Sequence, residues 1–248
     1  MSRDLEFAHA LADAADGVTL PRFRALDLHV ETKPDLTPVS EADRAAEEAV
    51  RALVASSGRG EVVLGEEFGG AGEGGDARWI VDPIDGTVSY VRGVPVWATL
   101  LALERSGQVD VALVSAPALG RRWWAVRGSG AFVDGMRCAV SRVARIADGA
   151  VSTTSLRGMP DGWRTIVEQA SSNRGFVDFW QHCLVAEGAI EVGCDPVVNL
   201  WDYAPLRLIV EEAGGCCTTF AGGDLRGGGS LVSTNGVLHD EVVSLLSA

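Results

Sequence analysis

The sequence predicts a mixed α/β (α+β) chain, and three observations carry that prediction. Two stretches near the start place apolar residues at helical spacing. A series of short β-rich runs follows, broken by glycine and proline. After about residue 140 short β-rich runs alternate with helical stretches, which is the pattern of an α/β unit. The change of pattern divides the chain into residues 1–140, mainly antiparallel sheet with two helices, and residues 141–248, with largely parallel strands.

The elements follow in order. Leu5, Ala8, Leu11, Ala12, Ala15 and Val18 recur at helical spacing within residues 3–25. Leu26–Glu31 alternates and reads as a short strand. Thr32–Pro38 contains two prolines and reads as an exposed loop. A second helix is expected from Ser40 to Ala55, with Ser40 and Asp43 as a capping pair. Glu61–Leu64 reads as a strand, and the glycine-rich segment Phe68–Asp76 as a flexible loop. Strands follow at Ala77–Val81, Trp97–Leu103, Val109–Ala116 and Arg122–Val126. In the second half strands are expected at Val151–Thr154, Ala189–Val192, Gly215–Thr218 and Leu231–Thr234. Helices are expected at about 161–171, 178–188, 201–213 and 237–246.

Composition excludes several classes of function. The 248 residues, 47% of them hydrophobic, suffice for a large core. No apolar run is long enough for a transmembrane helix, and the N-terminus does not read as a secretion signal. A formal net charge of −13 disfavours nucleic acid and anionic membranes as partners. Five cysteines without metal-ligand spacing read as small buried residues in a reducing cytoplasm. The four histidines, His9, His29, His182 and His239, are scattered and read as structural or exposed. Trp79, Trp97, Trp123, Trp124 and Trp201 read as core or interface. The outward ring of the Trp123–Trp124 pair is a candidate for a dimer or substrate contact.

The chemistry concentrates in Trp79-Ile-Val-Asp-Pro-Ile-Asp-Gly-Thr87. Asp82 and Asp85 stand three residues apart directly after an apolar run, and a Gly-Thr pair follows. Gly65-Glu66-Glu67 lies upstream, and Asn199-Leu-Trp-Asp202 far downstream. Acids at the ends of buried strands are costly to desolvate without compensation. A hard, oxygen-seeking cation such as Mg²⁺ compensates them, and the backbone N–H groups of Gly86 and Thr87 suit a phosphate. Metal-binding acids beside a phosphate cradle point to metal-assisted phosphoryl transfer or hydrolysis.

These motifs, with Glu212-Ala-Gly-Gly215 behind Asp202, resemble the inositol-monophosphatase family over nearly the whole chain. The resemblance implies a layered α-β-α-β-α sandwich of the inositol-monophosphatase/fructose-bisphosphatase type, with the site between the two halves. Residues 1–140 would then carry most metal ligands, and residues 141–248 would complete the site. It also implies a Mg²⁺-dependent, lithium-sensitive phosphomonoesterase holding two to three ions. Glu66, Asp82 and the Ile84 carbonyl would hold one Mg²⁺, and Asp82, Asp85 and Asp202 a second. Gly86 and Thr87 would bind phosphate. Thr87 and Asp43 would flank the attacking water, and Glu66 would reach the same water through a more weakly held metal.

Within that family, Ser89 stands where inositol-specific members carry Asn. Arg92-Gly-Val-Pro-Val-Trp97, Ser115–Trp124 and Cys183–Gly188 are similar to the histidinol-phosphate phosphatases. Asp178 keeps an acid those enzymes share, with Arg174 four residues before it, while Phe176 and Val177 replace their glycines. Histidinol phosphate carries an amine and an imidazole, so acids beyond the phosphate site suit it. Asp178 and Asp195 are the candidates, with Ser89 and Arg174 as further substrate contacts. The resemblance thus implies hydrolysis of L-histidinol phosphate in histidine synthesis by a cytoplasmic homodimer. Inositol-1-phosphate, another sugar or nucleotide phosphate, or an inactive metal-binding regulatory protein remain as alternatives.

Overall fold

The computed structural model describes residues 2–34, 36–70 and 77–247. Helix α1 (Arg3–Arg22) is capped by Ser2, whose hydroxyl accepts from the Leu5 N–H. Strands β1 (Val30–Thr32) and β2 (Pro38–Ser40) form an antiparallel hairpin. Helix α2 (Glu41–Ser56) starts with the capping box expected at Ser40 and Asp43. The first half continues through β3 (Val62–Gly65), β4 (Ala77–Asp85) and the short helix α3 (Thr87–Val91). Then come β5 (Ala98–Arg105), β6 (Gln108–Ala116), β7 (Arg121–Val126), β8 (Gly130–Val133) and β9 (Met136–Arg137). The second half runs β10 (Ala150–Thr153), α4 (Gly162–Gln169), β11 (Ser172–Asn173), α5 (Asp178–Ala186) and β12 (Val192–Val198). It closes with α6 (Leu200–Glu212), β13 (Cys216–Thr218), β14 (Gly229–Thr234) and α7 (His239–Leu246).

The strands form two large sheets. Strands β3 to β9 lie in sequence order in a seven-stranded sheet, antiparallel except for the β3–β4 pair. The other sheet has the order β11-β10-β12-β14-β13.

Alternation along the strands makes both faces of the larger sheet apolar. Trp79, Val81, Leu101 and Leu103 pack under α1 and α2 with Leu11, Ala12 and Val50. Ile80, Leu100 and Ala102 face the other way, into a core shared with Phe179 and Val185 of α5 and Leu206 and Ile209 of α6. Leu231 and Val198 of the second sheet close that core from the far side. Beyond it, Val192, Cys194 and Val232 pack against Trp163 and Ile166 of α4 and Val242 and Leu246 of α7. The result is five layers, α-β-α-β-α, as the family resemblance implies. Each helix pair buries one stripe on a sheet face.

Several expectations need correction. The second sheet is mixed: β10 pairs in parallel with β11 and β12, while β14 is antiparallel to β12 and β13. The glycine turns before β14 let the chain return antiparallel without a crossover helix. The strand expected at Leu26–Glu31 begins only at Val30, because Leu26 is fully exposed and pairs with nothing. The described residues between Thr32 and Pro38 are exposed or half-exposed, as expected, and these two ends pair in the β1–β2 hairpin. The strand expected at Ala189–Val192 starts at Val192 and runs to Val198. The loop at 68–76 falls mostly outside the described residues.

The tryptophans at 123 and 124 point to opposite faces, and Trp124 is half-buried. Trp123 is fully buried in the inter-sheet core, and Trp124 lies against His9 and Phe132 on the opposite face. All five cysteines are free thiols.

Candidate active site

Strand β4 delivers the first two acids. Residues 82 and 85 would point to opposite faces of a regular strand, because side chains alternate. Here the register against β5 shifts between Asp82, opposite Leu100, and Asp85, opposite Ala98. That one-residue bulge turns the two carboxylates toward the same edge. Pro83 sits in the bulge, where its missing N–H costs no ladder bond. Its carbonyl accepts from the Thr99 hydroxyl at 2.8 Å, and Asp82 Oδ1 accepts from the Ile84 N–H at 3.0 Å.

Two helix starts meet this edge. Asp202, in the first turn of α6, accepts from the Asn199 N–H at 2.7 Å. Asp178 opens α5, whose Phe179 N–H donates to Asp85 Oδ2 at 2.7 Å. Both helices aim their positive ends at the acids. Ligand oxygens of Asp82, Asp85 and Asp202 lie within 4.8 Å of one another. Among the described residues they form the one such cluster.

Burial and mutual repulsion push these carboxyls toward protonation. Asp82 is raised well above the usual range by burial first, then by Glu66, Asp85 and Asp202. Asp85 is raised by burial and then by Asp178 and Asp202, against the Phe179 N–H. Asp178 and Asp202 are each pushed up to about 7, again by burial first. Such a set is stable in its ionised form only with a cation present.

Glu66 follows β3 and is tied beside β4 by its N–H to the Val81 carbonyl at 3.1 Å. Its carboxylate accepts from Lys33 Nζ at 2.6 Å, as does that of Glu67. Lys33, in the β1–β2 hairpin, is the chain's sole lysine, and the sequence reading passed over it. Its position between two acids holds its ammonium in the charged form. The turn at 65–68 rests on fully buried Glu47, which accepts from the Glu67 and Phe68 N–H groups and from Arg51. A Cβ on Gly65 would lie 2.0 Å from Glu47 Oε1, so only glycine fits there.

Asp43 does two jobs from one buried carboxylate. Oδ2 caps α2 by accepting from the Ser40 N–H and hydroxyl, while Oδ1 accepts from Thr87 Oγ1 at 3.2 Å. Burial raises its carboxyl. Thr87 Oγ1 also reaches the Ile84 carbonyl at 2.9 Å. Gly86 precedes α3 at φ 82°, and a Cβ there would stand 2.9 Å from the Val96 carbonyl and 3.1 Å from Asp178 Oδ2. Glycine is required on both counts.

The remaining candidates divide. Ser89 lies half-buried in α3, two residues past Thr87. Asp195, on β12, is nearly buried and adds to the field that raises Asp178. Arg174 is exposed, with Nη1 donating to the Asn173 carbonyl at 2.8 Å. The histidines were read as structural or exposed, and His182 is fully buried, with Nε2 at 2.7 Å from Asp195 Oδ2. Gln181 and His182, three and four residues after Asp178, were the sequence signal for one polar face of α5.

A fold of this layering with clustered acids between its sheets defines a class of metal-dependent phosphatases. The inositol monophosphatase family model matches residues 1–248. The chain is 50% identical to a histidinol-phosphatase of Mycobacterium tuberculosis, covering 99% of this chain and 98% of that protein. It is 49% identical to a histidinol-phosphatase of Streptomyces coelicolor, covering 98% and 97%. An inositol monophosphatase structure from Thermotoga maritima superposes with a TM-score of 0.91 at 30% identity, covering 99% and 97%. The chain belongs to the inositol monophosphatase family.

Proposed function

We propose that this enzyme is a Mg²⁺-dependent phosphomonoesterase that hydrolyses L-histidinol phosphate to L-histidinol and inorganic phosphate in histidine synthesis. Full-length identity of 50% to a histidinol-phosphatase supports the reading. The observation that carries the choice of substrate is the pair Asp178 and Asp195. They extend the acidic field beyond the three clustered metal acids, toward where a cationic head group would lie.

The residues present fit Mg²⁺. Asp82, Asp85 and Asp202 offer hard oxygens within 4.8 Å of one another, and burial makes a cation their natural counter-charge. Glu66, Asp82 and the Ile84 carbonyl would hold one ion and Asp82, Asp85 and Asp202 a second, with two to three in the loaded site. When bound, Mg²⁺ supplies Lewis acidity to the phosphoryl oxygens and acidifies the attacking water.

The chain's own groups orient the reactants. The Gly86 and Thr87 N–H groups receive phosphate oxygens at the start of α3. Thr87 Oγ1 accepts from the attacking water and fixes its lone pair toward phosphorus. Asp43, bonded to Thr87 and raised by burial, receives the proton through that hydroxyl. The new P–O bond forms as the ester P–O bond breaks, and the leaving oxygen takes up a proton. Ser89 keeps the wall beyond the phosphate small. Arg174 would join the substrate only by exchanging its bond to Asn173. A homodimer in the cytoplasm completes the reading. Among the described residues no helix is long and apolar enough to cross a membrane.

The test is kcat/KM for histidinol phosphate against inositol-1-phosphate and p-nitrophenyl phosphate with saturating Mg²⁺. Histidinol phosphate should be preferred. Asp178→Asn should lower its kcat/KM about 10–150-fold relative to p-nitrophenyl phosphate, the range for a lost charge-assisted hydrogen bond. A preference for inositol-1-phosphate in the wild-type enzyme would overturn the substrate and leave the phosphatase reaction standing.

A further inference from the structure

We infer that His182 is a positioning residue that, with Gln181, fixes the Asp195 carboxylate for recognition of the substrate's cationic end. The inference rests on the reading of Asp195 as a substrate contact made above.

Asp195 is held from both sides. Gln181 Nε2 donates to Oδ1 at 2.8 Å, and His182 Nε2 lies 2.7 Å from Oδ2. With the carboxylate as acceptor, the imidazole proton sits on Nε2. Nδ1 then accepts from the Ser233 hydroxyl at 2.8 Å, and Ser233 Oγ accepts from the Cys217 thiol at 3.2 Å. Every donor in this chain points one way, toward Asp195. Ser233 and His182 are fully buried, so neither can meet a substrate directly. Asp195 is the most exposed member of the chain, with 12% of its side chain accessible, and each of its oxygens has a second lone pair.

The fold builds the chain deliberately. Asp178, Gln181 and His182 fall on one face of α5 at i, i+3 and i+4. Gly193 lets that face lie against β12, since a Cβ there would stand 3.3 Å from Gln181 Cγ. Thr154 Oγ1 joins the two ends of the face: it accepts from the Asp178 N–H at 2.7 Å and from Gln181 Nε2 at 2.9 Å. The two acids assigned to the cationic end are thus anchored through one network. A largely buried polar chain gives little net stability over apolar packing of the same shape, so its value lies in fixing a geometry. Ser233, His182 and Asp195 contain the residue types of a nucleophilic triad, but burial of the serine excludes that role.

The experiment compares wild type, His182→Leu, His182→Gln, His182→Asn and Asp195→Asn, each checked for a cooperative melt. The readout is the ratio of kcat/KM for histidinol phosphate to that for p-nitrophenyl phosphate. His182→Leu should lower the ratio about 10-fold, chiefly through KM for histidinol phosphate. His182→Gln, whose Nε2 can still reach Asp195, should stay within about 3-fold of wild type. His182→Asn, which is polar but too short, should behave as His182→Leu does and serves if the leucine variant does not fold. An unchanged ratio in both His182→Leu and His182→Asn, beside a lowered ratio in Asp195→Asn, would overturn the positioning role alone. An unchanged ratio in Asp195→Asn would overturn the assignment of Asp195 as a substrate contact, and with it the role of His182.

Discussion

Asp85 shows how one side chain can be bound into the scaffold and still be available for chemistry. One oxygen accepts from the Phe179 N–H, and its carboxyl is raised by burial and by Asp178 and Asp202. In Asp85→Asn the amide oxygen can keep the Phe179 bond, so the fold should survive. The lost charge should lower kcat by about 10²–10³ at saturating Mg²⁺, as removal of one electrostatic stabiliser does. A steady-state assay beside a thermal melt checks both halves. Activity within a few-fold of wild type would contradict the role of Asp85 as a ligand. Much at this scale was legible in the sequence: Glu66, Asp82, Asp85, Thr87 and Asp202 form a recognisable order of motifs. Glu47, Lys33 and His182 were not, because their partners lie far along the chain and their local contexts are ordinary.

The segment leading into α5 is the strained element. Val177 has φ 52° and ψ 154°, and Asp178 has φ 50°. For a β-branched residue that region is close to forbidden, and such strain costs on the order of 1–3 kcal/mol. Hydrogen bonds hold it: Phe176 N–H to Ser152 Oγ at 3.0 Å, Asp178 N–H to Thr154 Oγ1 and Phe179 N–H to Asp85. Phe176 also meets Trp180 edge-on with ring centroids 5.6 Å apart. Val177→Gly should therefore relieve more strain than it adds in unfolded-state entropy, for a net gain of about 1 kcal/mol. Chemical denaturation with the metal-loaded enzyme measures it. A lower midpoint would show that the valine side chain contributes more through packing than its backbone costs. The strain positions Asp178 against Gly86, so the same variant reports whether the substrate pocket tolerates a looser α5 start.

At the scale of the whole molecule, four acids from one strand of the larger sheet and from both central helices converge on one point. Asp82, Asp85, Asp178 and Asp202 are all raised above the value of about 4 that they have in an unfolded chain. Between about pH 4 and about pH 7, where Asp178 and Asp202 titrate, the metal-free folded chain holds protons that the unfolded chain has released. Their contribution to metal-free stability therefore falls as pH rises through that window. Mg²⁺ must displace those protons, so its stabilising increment should be small near pH 5 and grow toward pH 8. With metal at about 100 times its Kd at pH 8 the increment should be about 2.7 kcal/mol. Paired melts in EDTA and in Mg²⁺ at several pH values separate this from ordinary carboxylate titration. An increment that does not change with pH would contradict the convergence of these acids on one cation.

By itself the sequence determined the class of fold, most of the helices and the order of the site motifs, and it nominated Glu66, Asp82, Asp85 and Asp202 as candidate metal acids. Those follow from periodicity, capping residues and short local patterns, which act over a few residues. The tertiary structure decided what distance along the chain conceals. The bulge at Pro83 turns Asp82 and Asp85 to one side, a choice of strand register that alternation alone would have reversed. The antiparallel return of β14 and the late start of β12 were set by sheet pairing, against the local pattern at Ala189–Val192. The link from Ser233 through His182 to Asp195 arises because β14, α5 and β12 pack together, and no spacing in the sequence encodes that meeting.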